Sequence, residues 1–181
     1  MSYRLTPRVN LPLKKYDSIS SNMGAISTFD GKEWGMHLGV DFDVQAGTQV
    51  FAIGRGRVVY AAMHPGKLKE DGTIEKRNWG GIVIIAHKHP LIKKVFYSLY
   101  GHVGKCLVKK GDAVEEDTVV GVIAPAMTEA NGLWETEHLH FAIYTGPFKG
   151  RVLPGYFRKE NFATEIEHWK EPLEFIEKYA S

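Results

Sequence analysis

Cysteine is nearly absent from this chain, since Cys106 is the only one in 181 residues. A disulfide within the chain is therefore impossible, and the fold must be held together by an apolar core. A chain of this length buries roughly two-thirds of its unfolded surface in one domain, so a single core is sufficient. A metal site made of thiolates is excluded as well, because it would need more than one cysteine.

Runs of basic residues are also absent. The formal net charge is +2, and no basic run exceeds two residues, as in the lysine pairs 14–15, 93–94 and 109–110. Nucleic-acid binding depends on clustered lysine and arginine side chains that neutralise phosphates. The sequence therefore predicts no nucleic-acid partner.

Long apolar segments are missing too. The longest apolar run, residues 81–86, is far shorter than the roughly 20 residues of a membrane-spanning helix, so no transmembrane segment is expected. Residues 1–8 lack the apolar core of a signal peptide. These observations leave the compartment open, because the chain could stay in the cytoplasm, leave by another route, or have been trimmed.

Short strand-like segments are abundant from residue 47 onward. Apolar and polar residues alternate, or form brief apolar runs, in segments 48–53, 57–62, 82–87 and 95–103, and turn residues separate them. We predict an all-β, mainly antiparallel fold whose sheet curls into a half-open barrel-sandwich, a duplicated hybrid motif.

Three segments are expected along the chain. Residues 1–30 show no clear periodicity and are expected to form an extended arm with one short strand. Residues 31–150 are expected to form the β domain. Residues 151–181 are expected to be a C-terminal extension with one short helix over 172–179, where proline begins the segment and apolar residues recur at helical spacing.

The strongest chemical signal lies in the segment Glu137–Tyr144. The segment has the pattern of a strand, so His138 and His140 point to one face, about 7 Å apart along the backbone. Two imidazoles on one face can bind a single ion, or one can bind the ion while the other moves a proton. An isolated His-x-His pair, however, more often marks two half-buried surface histidines.

A second segment, Met36–Phe42, changes that interpretation. His37 and Asp41 are four residues apart, about 13 Å along a straight strand, which is near the limit for two side chains that meet at one ion. We therefore expect the chain to bend here, and we expect Gly39 to permit the bend. Imidazole and carboxylate are ordinary zinc ligands, and His140 is the best placed third ligand. Three protein ligands leave one tetrahedral position for water, as in catalytic zinc sites.

Two histidines then remain for proton transfer. His138 lies on the same strand as His140, and His102 follows Tyr100 on another predicted strand. A water acidified by zinc still needs a base that accepts its proton, and histidine titrates in the appropriate range. His102 and His138 are therefore the candidate acid–base residues, and the sequence does not decide which is the base.

Five motifs share the order and spacing of one known family. They are His37-Leu-Gly-Val-Asp41-Phe, Ala46-Gly-Thr-Gln-Val-Phe-Ala, Gly56-Arg-Val-Val, Tyr100-Gly-His102-Val and His138-Leu-His140-Phe. Over residues 35–146 the chain resembles the lysostaphin-type, or LytM-like, zinc metallopeptidases, which are peptidoglycan hydrolases and glycyl-glycine endopeptidases.

This resemblance implies a zinc ion (Zn2+) that is held by His37, Asp41 and His140. It implies that His102 and His138 form the catalytic pair, which orients and deprotonates the water and stabilises the tetrahedral intermediate. It also implies a peptidoglycan peptide as the substrate and a secreted or cell-envelope location.

Three features depart from the family pattern. Residues 131–137, which approach the His-x-His strand, are bulky and acidic where the family is rich in glycine, threonine and serine. Ala142 replaces a glutamate that is common after the phenylalanine. Segment 63–80 is long, and Asp71-Gly72 predicts a hairpin tip within it. Each feature would border the substrate groove, so the resemblance does not extend to peptide specificity.

Other aromatic residues and histidines receive a structural interpretation. Trp34, Trp79 and Trp134 are expected to pack in the core or at its rim more often than to line a groove. His87 ends a buried strand and is expected to be structural.

Three other functions remain open. A non-catalytic member of the same fold, acting as a cell-wall binding or regulatory module, is disfavoured because none of the five site residues is missing. A histidine phosphocarrier uses paired histidines but has no use for Asp41 as a ligand. A lipoyl or biotin carrier, which residues 108–114 suggest, would need a lysine on a convincing hairpin tip. Metal content distinguishes the peptidase from both carriers.

Overall fold

A computed structural model describes residues 5–29, 31–92, 94–158 and 166–180. Within these ranges the chain forms fifteen strands, two short 3-10 turns and one α-helix. The strands are β1 (Ser18–Ser21), β2 (Ile26–Phe29), β3 (Lys32–His37), β4 (Val40–Asp43), β5 (Gln49–Phe51), β6 (Gly56–His64), β7 (Lys67–Leu68), β8 (Ile74–Lys76), β9 (Gly80–His87), β10 (Phe96–Cys106), β11 (Ala113–Val114), β12 (Val119–Ile123), β13 (His138–Tyr144), β14 (Tyr156–Phe157) and β15 (Trp169–Lys170). The 3-10 turns are Glu129–Asn131 and Ile166–His168, and the helix α1 is Pro172–Tyr179.

Antiparallel pairing organises these strands into three sheets. The main sheet has ten strands, in the order β1-β4-β13-β10-β9-β6-β11, with β12 paired to β10 and β5, and β15 paired to β13. A three-stranded sheet has the order β14-β3-β2, and β7 and β8 form a hairpin. The order of the described strands does not return to its start, so the sheet is not a closed barrel. The prediction of an all-β fold is confirmed.

The centre of the main sheet is buried on both faces. Every residue of β9 and of β13 is buried, because apolar clusters cover both sides of the sheet. On β13, Leu139, Phe141 and Ile143 belong to one cluster, and Ala142 and Tyr144 belong to the other. By strand alternation, the face of Ala142 and Tyr144 is also the face of the two histidines on this strand.

Both ends of the chain add strands to this framework. The segment before residue 30 forms two strands rather than the single strand expected, and β1 pairs with β4 of the main sheet. The helix begins and ends at the predicted residues, with Glu171 accepting a hydrogen bond from the Glu174 amide at its first turn. Phe175 and Ile176 of the helix pack into the main core. Within the described ranges, no helix is long and apolar enough to cross a membrane.

Candidate active site

The junction between two sheets brings His37 and Asp41 together. His37 is the last residue of β3 in the three-stranded sheet, and Asp41 lies in β4 of the main sheet. The bend expected between them is present, since Leu38 and Gly39 interrupt the strand. The structure shows a further reason for glycine at residue 39. Its φ lies outside the left-handed region, and a Cβ would instead stand 2.5 Å from the Phe141 carbonyl oxygen and 2.9 Å from His140 Nε2. Glycine is needed at residue 39 because the backbone of β13 and the His140 ring approach it closely.

Strand register places the third residue of the group beside the first two. His140 on β13 lies directly opposite Asp41 on β4. His140 Nδ1 lies 3.1 Å from Asp41 Oδ1 and 2.9 Å from His37 Nε2, and His37 Nε2 lies 3.1 Å from the same carboxylate oxygen. Three potential ligand atoms therefore form a nearly equilateral triangle, although the residues are up to 103 positions apart in sequence.

This triangle fits a zinc ion. Zinc binds imidazole nitrogen and carboxylate oxygen at about 2.0–2.2 Å, which separates tetrahedral ligand atoms by roughly 3.3 Å. The observed separations need to open by only a few tenths of an ångström. All three residues are buried, so the two nitrogens and the oxygen face one another with little competition from bulk water. Within the described ranges this is the group of histidine and acidic side chains that could hold a metal.

Burial and neighbouring charges set the protonation of the group. Burial raises the pKa of Asp41, but hydrogen bonds and charge from His140 and His37 outweigh that effect and hold its pKa well below the usual value. Burial lowers the pKa of His140 to about 4. A carboxylate anion beside a neutral imidazole is the state that binds metal, because metal ligands must be deprotonated.

An irregularity in β10 presents His102. Register shifts between Gly101 and Val103 where β10 pairs with β9, so His102 is the extra residue of a β-bulge. Its φ is 65°, a left-handed conformation that is uncommon for residues other than glycine and that concentrates at functional sites. Both the amide and Nδ1 of His102 bind the Trp79 carbonyl oxygen, at 3.2 Å and 2.9 Å. Because a carbonyl only accepts, Nδ1 carries the proton and Nε2 has the free lone pair.

His138 is held in the same way. Its Nδ1 lies 3.1 Å from the Thr136 carbonyl oxygen, so this ring also carries its proton on Nδ1. The rings of His138 and His102 are 4.5 Å apart. Burial, together with charge on His138 and His140, lowers the pKa of His102 well below its usual value. The structure thus brings all five predicted site residues together, as a triangle of candidate ligands beside a pair of histidines.

Comparison with known proteins places this arrangement in a family. The profile described as peptidase family M23 matches residues 35–152, which is more than half of the chain. The chain belongs to peptidase family M23. No curated protein matches the chain.

Solved structures share the fold. The catalytic domain of lysostaphin from Staphylococcus simulans is 23% identical, with a TM-score of 0.58, over 90% of this chain and 92% of that one. LytU is 20% identical, with a TM-score of 0.58, over 92% of each chain. A zinc containing peptidase from Vibrio cholerae is 24% identical, with a TM-score of 0.58, over 87% of this chain and 41% of that one. These identities are low, so the structural likeness shows the M23 fold alone.

A cleft of about 220 Å³ opens beside the M23 site. It reaches Asp41 and His138, and its lining includes Ser20, Ser21 and Arg77. The rings of Phe29, Trp134 and Tyr156 line the cleft. Together with Trp34 they form a cluster of four rings with centroids 4.8–6.4 Å apart. The interpretation of the tryptophans as packing residues is incomplete, because Trp134 is buried and also lines the cleft. Three of the four rings come from outside residues 35–152.

Several residues near the site carry no signal in the sequence. Trp79 binds His102 through its carbonyl oxygen and packs against His140, with ring centroids 5.0 Å apart. It occupies the space that a side chain at Gly101 would fill, since a Cβ there would lie 2.5 Å from the Trp79 ring. Tyr156 packs 5.4 Å from the His37 ring. Glycine at residue 101 leaves space for Trp79, but the sequence does not show which side chain fills that space.

His87 lies outside this site, as expected. It is fully buried, with Nδ1 2.9 Å from the Arg55 carbonyl oxygen and Nε2 2.7 Å from Ser98 Oγ. Burial lowers the pKa of His87 to about 4. Its hydrogen bonds are those of a neutral structural histidine.

Proposed function

We propose that this chain is a zinc-dependent endopeptidase that hydrolyses peptide bonds in the cross-links or stems of peptidoglycan. The observation that supports the proposal best is the triangle of His37 Nε2, Asp41 Oδ1 and His140 Nδ1, with separations of 2.9–3.1 Å, beside the His102–His138 pair. Membership of a peptidase family supports peptide hydrolysis, and the resemblance to lysostaphin-type enzymes supports the cell-wall substrate.

His37, Asp41 and His140 would hold the zinc ion. When bound, zinc supplies Lewis-acid chemistry, since it polarises a carbonyl oxygen and lowers the pKa of a water molecule. The two histidines and the aspartate provide one negative charge, and the cleft on the side of His138 gives a peptide access to the group.

His102 and His138 would move protons. Each ring donates its Nδ1 proton to a backbone carbonyl, so Nε2 is the atom that can accept a proton from the attacking water. The lowered pKa of His102 keeps this ring neutral near pH 7, as a general base requires. The protonated ring can then donate to the amine that leaves.

The short distance between the rings of His102 and His138 limits how many protons the two rings can carry together. At 4.5 Å between ring centroids, protonation of one ring makes protonation of the other less favourable. The pair therefore favours states with at most one proton beyond neutrality. Such a pair suits a reaction that takes one proton from water and returns one to the leaving group.

Peptidoglycan digestion tests the proposal. The zinc-loaded protein is incubated with purified peptidoglycan of several cross-bridge types, with and without a chelator, and mass spectrometry identifies new amino termini. We expect cleavage of at least one cross-bridge or stem, its loss on chelation, and its return when zinc is added. His102→Ala is the control that should retain zinc without cleavage. A protein that binds zinc but releases no peptide from any substrate would favour a non-catalytic module.

A further inference from the structure

Residues 20–25, which we call the arm segment, surround one of the candidate ligands. The segment begins within β1 and ends just before β2, and it lies outside the residues that the family profile matches. Ser20 and Ser21 also form part of the lining of the cleft. The arm segment therefore forms one side of the site.

Four hydrogen bonds connect the arm segment to His37. The His37 amide donates to the Ala25 carbonyl at 2.8 Å, and the Gly24 amide donates to the His37 carbonyl at 2.9 Å. His37 Nδ1 lies 3.2 Å from the Asn22 carbonyl oxygen and 3.1 Å from Ser21 Oγ. The backbone and the outer ring nitrogen of His37 are thus all held by the same short segment.

Strand pairing aligns the segment with a second ligand. β1 pairs with β4, and Ser21 lies opposite Asp41. A register shift between Ile19 and Ser21 marks an irregularity just before this pair. Such irregularities redirect side chains. Here Ser21 Oγ reaches across to His37, although its own strand pairs with the strand that carries Asp41.

The contacts at Nδ1 determine how His37 can bind an ion. The Asn22 carbonyl oxygen only accepts, so it favours a proton on Nδ1, and the Ser21 hydroxyl then accepts from the same proton. The lone pair is therefore on Nε2, the atom that faces Asp41 and His140. The same bonds fix the rotation of the ring. His37 is fully buried, so without these partners the Nδ1 proton would be an unsatisfied buried donor.

We propose that the arm segment is a working part of the metal site, with Ser21 as a positioning residue that orients His37 for zinc. The inference rests on the proposed function, in which His37 is a zinc ligand. Outer partners of metal-bound histidines typically change metal affinity by about 10–100-fold when they are removed. Because the Asn22 carbonyl remains when the Ser21 hydroxyl is lost, we expect an effect near the lower end.

Zinc affinity tests this role without reference to activity. The dissociation constant is measured by competition with a chromophoric chelator for the full chain and for single variants. Ser21→Ala should weaken zinc binding about tenfold, and Ser21→Thr, which keeps the hydroxyl, should bind nearly as the original chain does. Ser18→Ala is the matched control, because Ser18 lies on the same strand and donates to Asp43 instead. It should leave zinc affinity unchanged.

Two further measurements distinguish a change in the fold from a change in the geometry of the metal site. Urea unfolding of the metal-free variants shows whether Ser21→Ala alters the fold, and the absorption spectrum of the cobalt-loaded protein reports ligand geometry. If the original chain binds no zinc, the proposed function itself fails. If His37→Ala loses zinc while Ser21→Ala binds it as tightly as the original chain, the metal site is correct and the role of the arm segment is wrong. An equal loss in Ser18→Ala would also overturn it.

Discussion

Replacement of Gly39 by alanine should damage the proposed metal site although Gly39 is not one of the candidate ligands. A Cβ at this position would stand 2.5 Å from the Phe141 carbonyl oxygen, 2.9 Å from His140 Nε2 and 3.1 Å from Ala142 Cβ. Contacts below 3.0 Å between such atoms are not tolerated, so β4 and β13 must separate by about 0.5 Å or more. His140 is itself contacted and directly precedes the other two residues on β13, so it must move with them.

The size of the effect follows from how much displacement the packed core and the zinc site each tolerate. Overpacking of a buried position costs about 1–3 kcal/mol in the free energy of unfolding. Zinc sites accept ligand distances within about 0.2 Å of ideal values, and the required shift exceeds this tolerance. We therefore expect Gly39→Ala to weaken zinc binding by at least about tenfold. Zinc affinity by chelator competition and the unfolding free energy of the metal-free protein measure the two effects separately.

Gly104→Ala is the matched control. A Cβ at Gly104 in β10 would contact Ala124, with its Cβ at 3.0 Å, and none of the three candidate ligands. This variant should lose stability while its zinc affinity stays the same. If Gly39→Ala binds zinc as tightly as the unchanged chain, or if Gly104→Ala loses zinc to the same extent, the argument from close approach is wrong.

Three further predictions concern the ligands, the role of the metal and the response to acid. Zinc should be lost in His37→Ala, Asp41→Ala and His140→Ala. His102→Ala should keep zinc and lose on the order of a hundredfold in turnover. Elemental analysis and initial rates measure the two effects, and loss of zinc only in His102→Ala would reverse the assignment. Chelation should leave the circular dichroism spectrum largely intact, because apolar packing holds the strands that carry the ligands, and complete unfolding would indicate a structural ion instead. The folded-state pKa of His87 is about 4 and its unfolded value about 6.5, so the unfolded chain binds the proton first and stability falls as pH drops through this window. Between pH 7 and pH 5 the free energy of unfolding of the metal-free chain should fall by roughly 2 kcal/mol more than that of His87→Gln. Urea unfolding measures both values, and equal decreases would show that His87 does not titrate in this range.

Much of the fold and the identity of the site residues follow from local sequence patterns. Strands such as β9 and β12 are short apolar runs between turn residues, and α1 has a proline at its first position and apolar residues at helical spacing. His37 and Asp41 are four residues apart, so their side chains meet at one ion only if the chain bends between them. These features are visible because the residues that determine them are neighbours in sequence.

The surroundings of the site could not be predicted because they depend on register and on backbone atoms. A bulge sets the left-handed conformation of His102, and no residue type in this segment marks it, since histidine takes the place where glycine would be expected. The close approach at Gly39 could not be predicted for a related reason. It involves His140 and Phe141 of β13, which lie about a hundred residues away.

Backbone carbonyls explain how three of the four histidines are oriented. The outer nitrogens of His37, His102 and His138 lie near the carbonyl oxygens of residues 22, 79 and 136, respectively. A carbonyl only accepts, so each contact fixes the same tautomer whatever side chain the residue bears. This means that the loops around the site can change in sequence while the protonation of the histidines is retained. The departures from the family pattern in residues 131–137 are therefore compatible with an intact site.

His140 is the exception, and it is the candidate ligand that is most sensitive to perturbation. Its outer nitrogen, Nε2, is buried with no hydrogen-bond partner among the described residues. An ion at Nδ1 would require the ring proton to be on Nε2, where an unsatisfied donor costs about 1–3 kcal/mol. Away from Nδ1, the ring is held by packing, with Gly39 and the Trp79 ring as its neighbours. The proposed metal site therefore depends on the space available around His140, and a single added methyl group at residue 39 acts on its least supported candidate ligand.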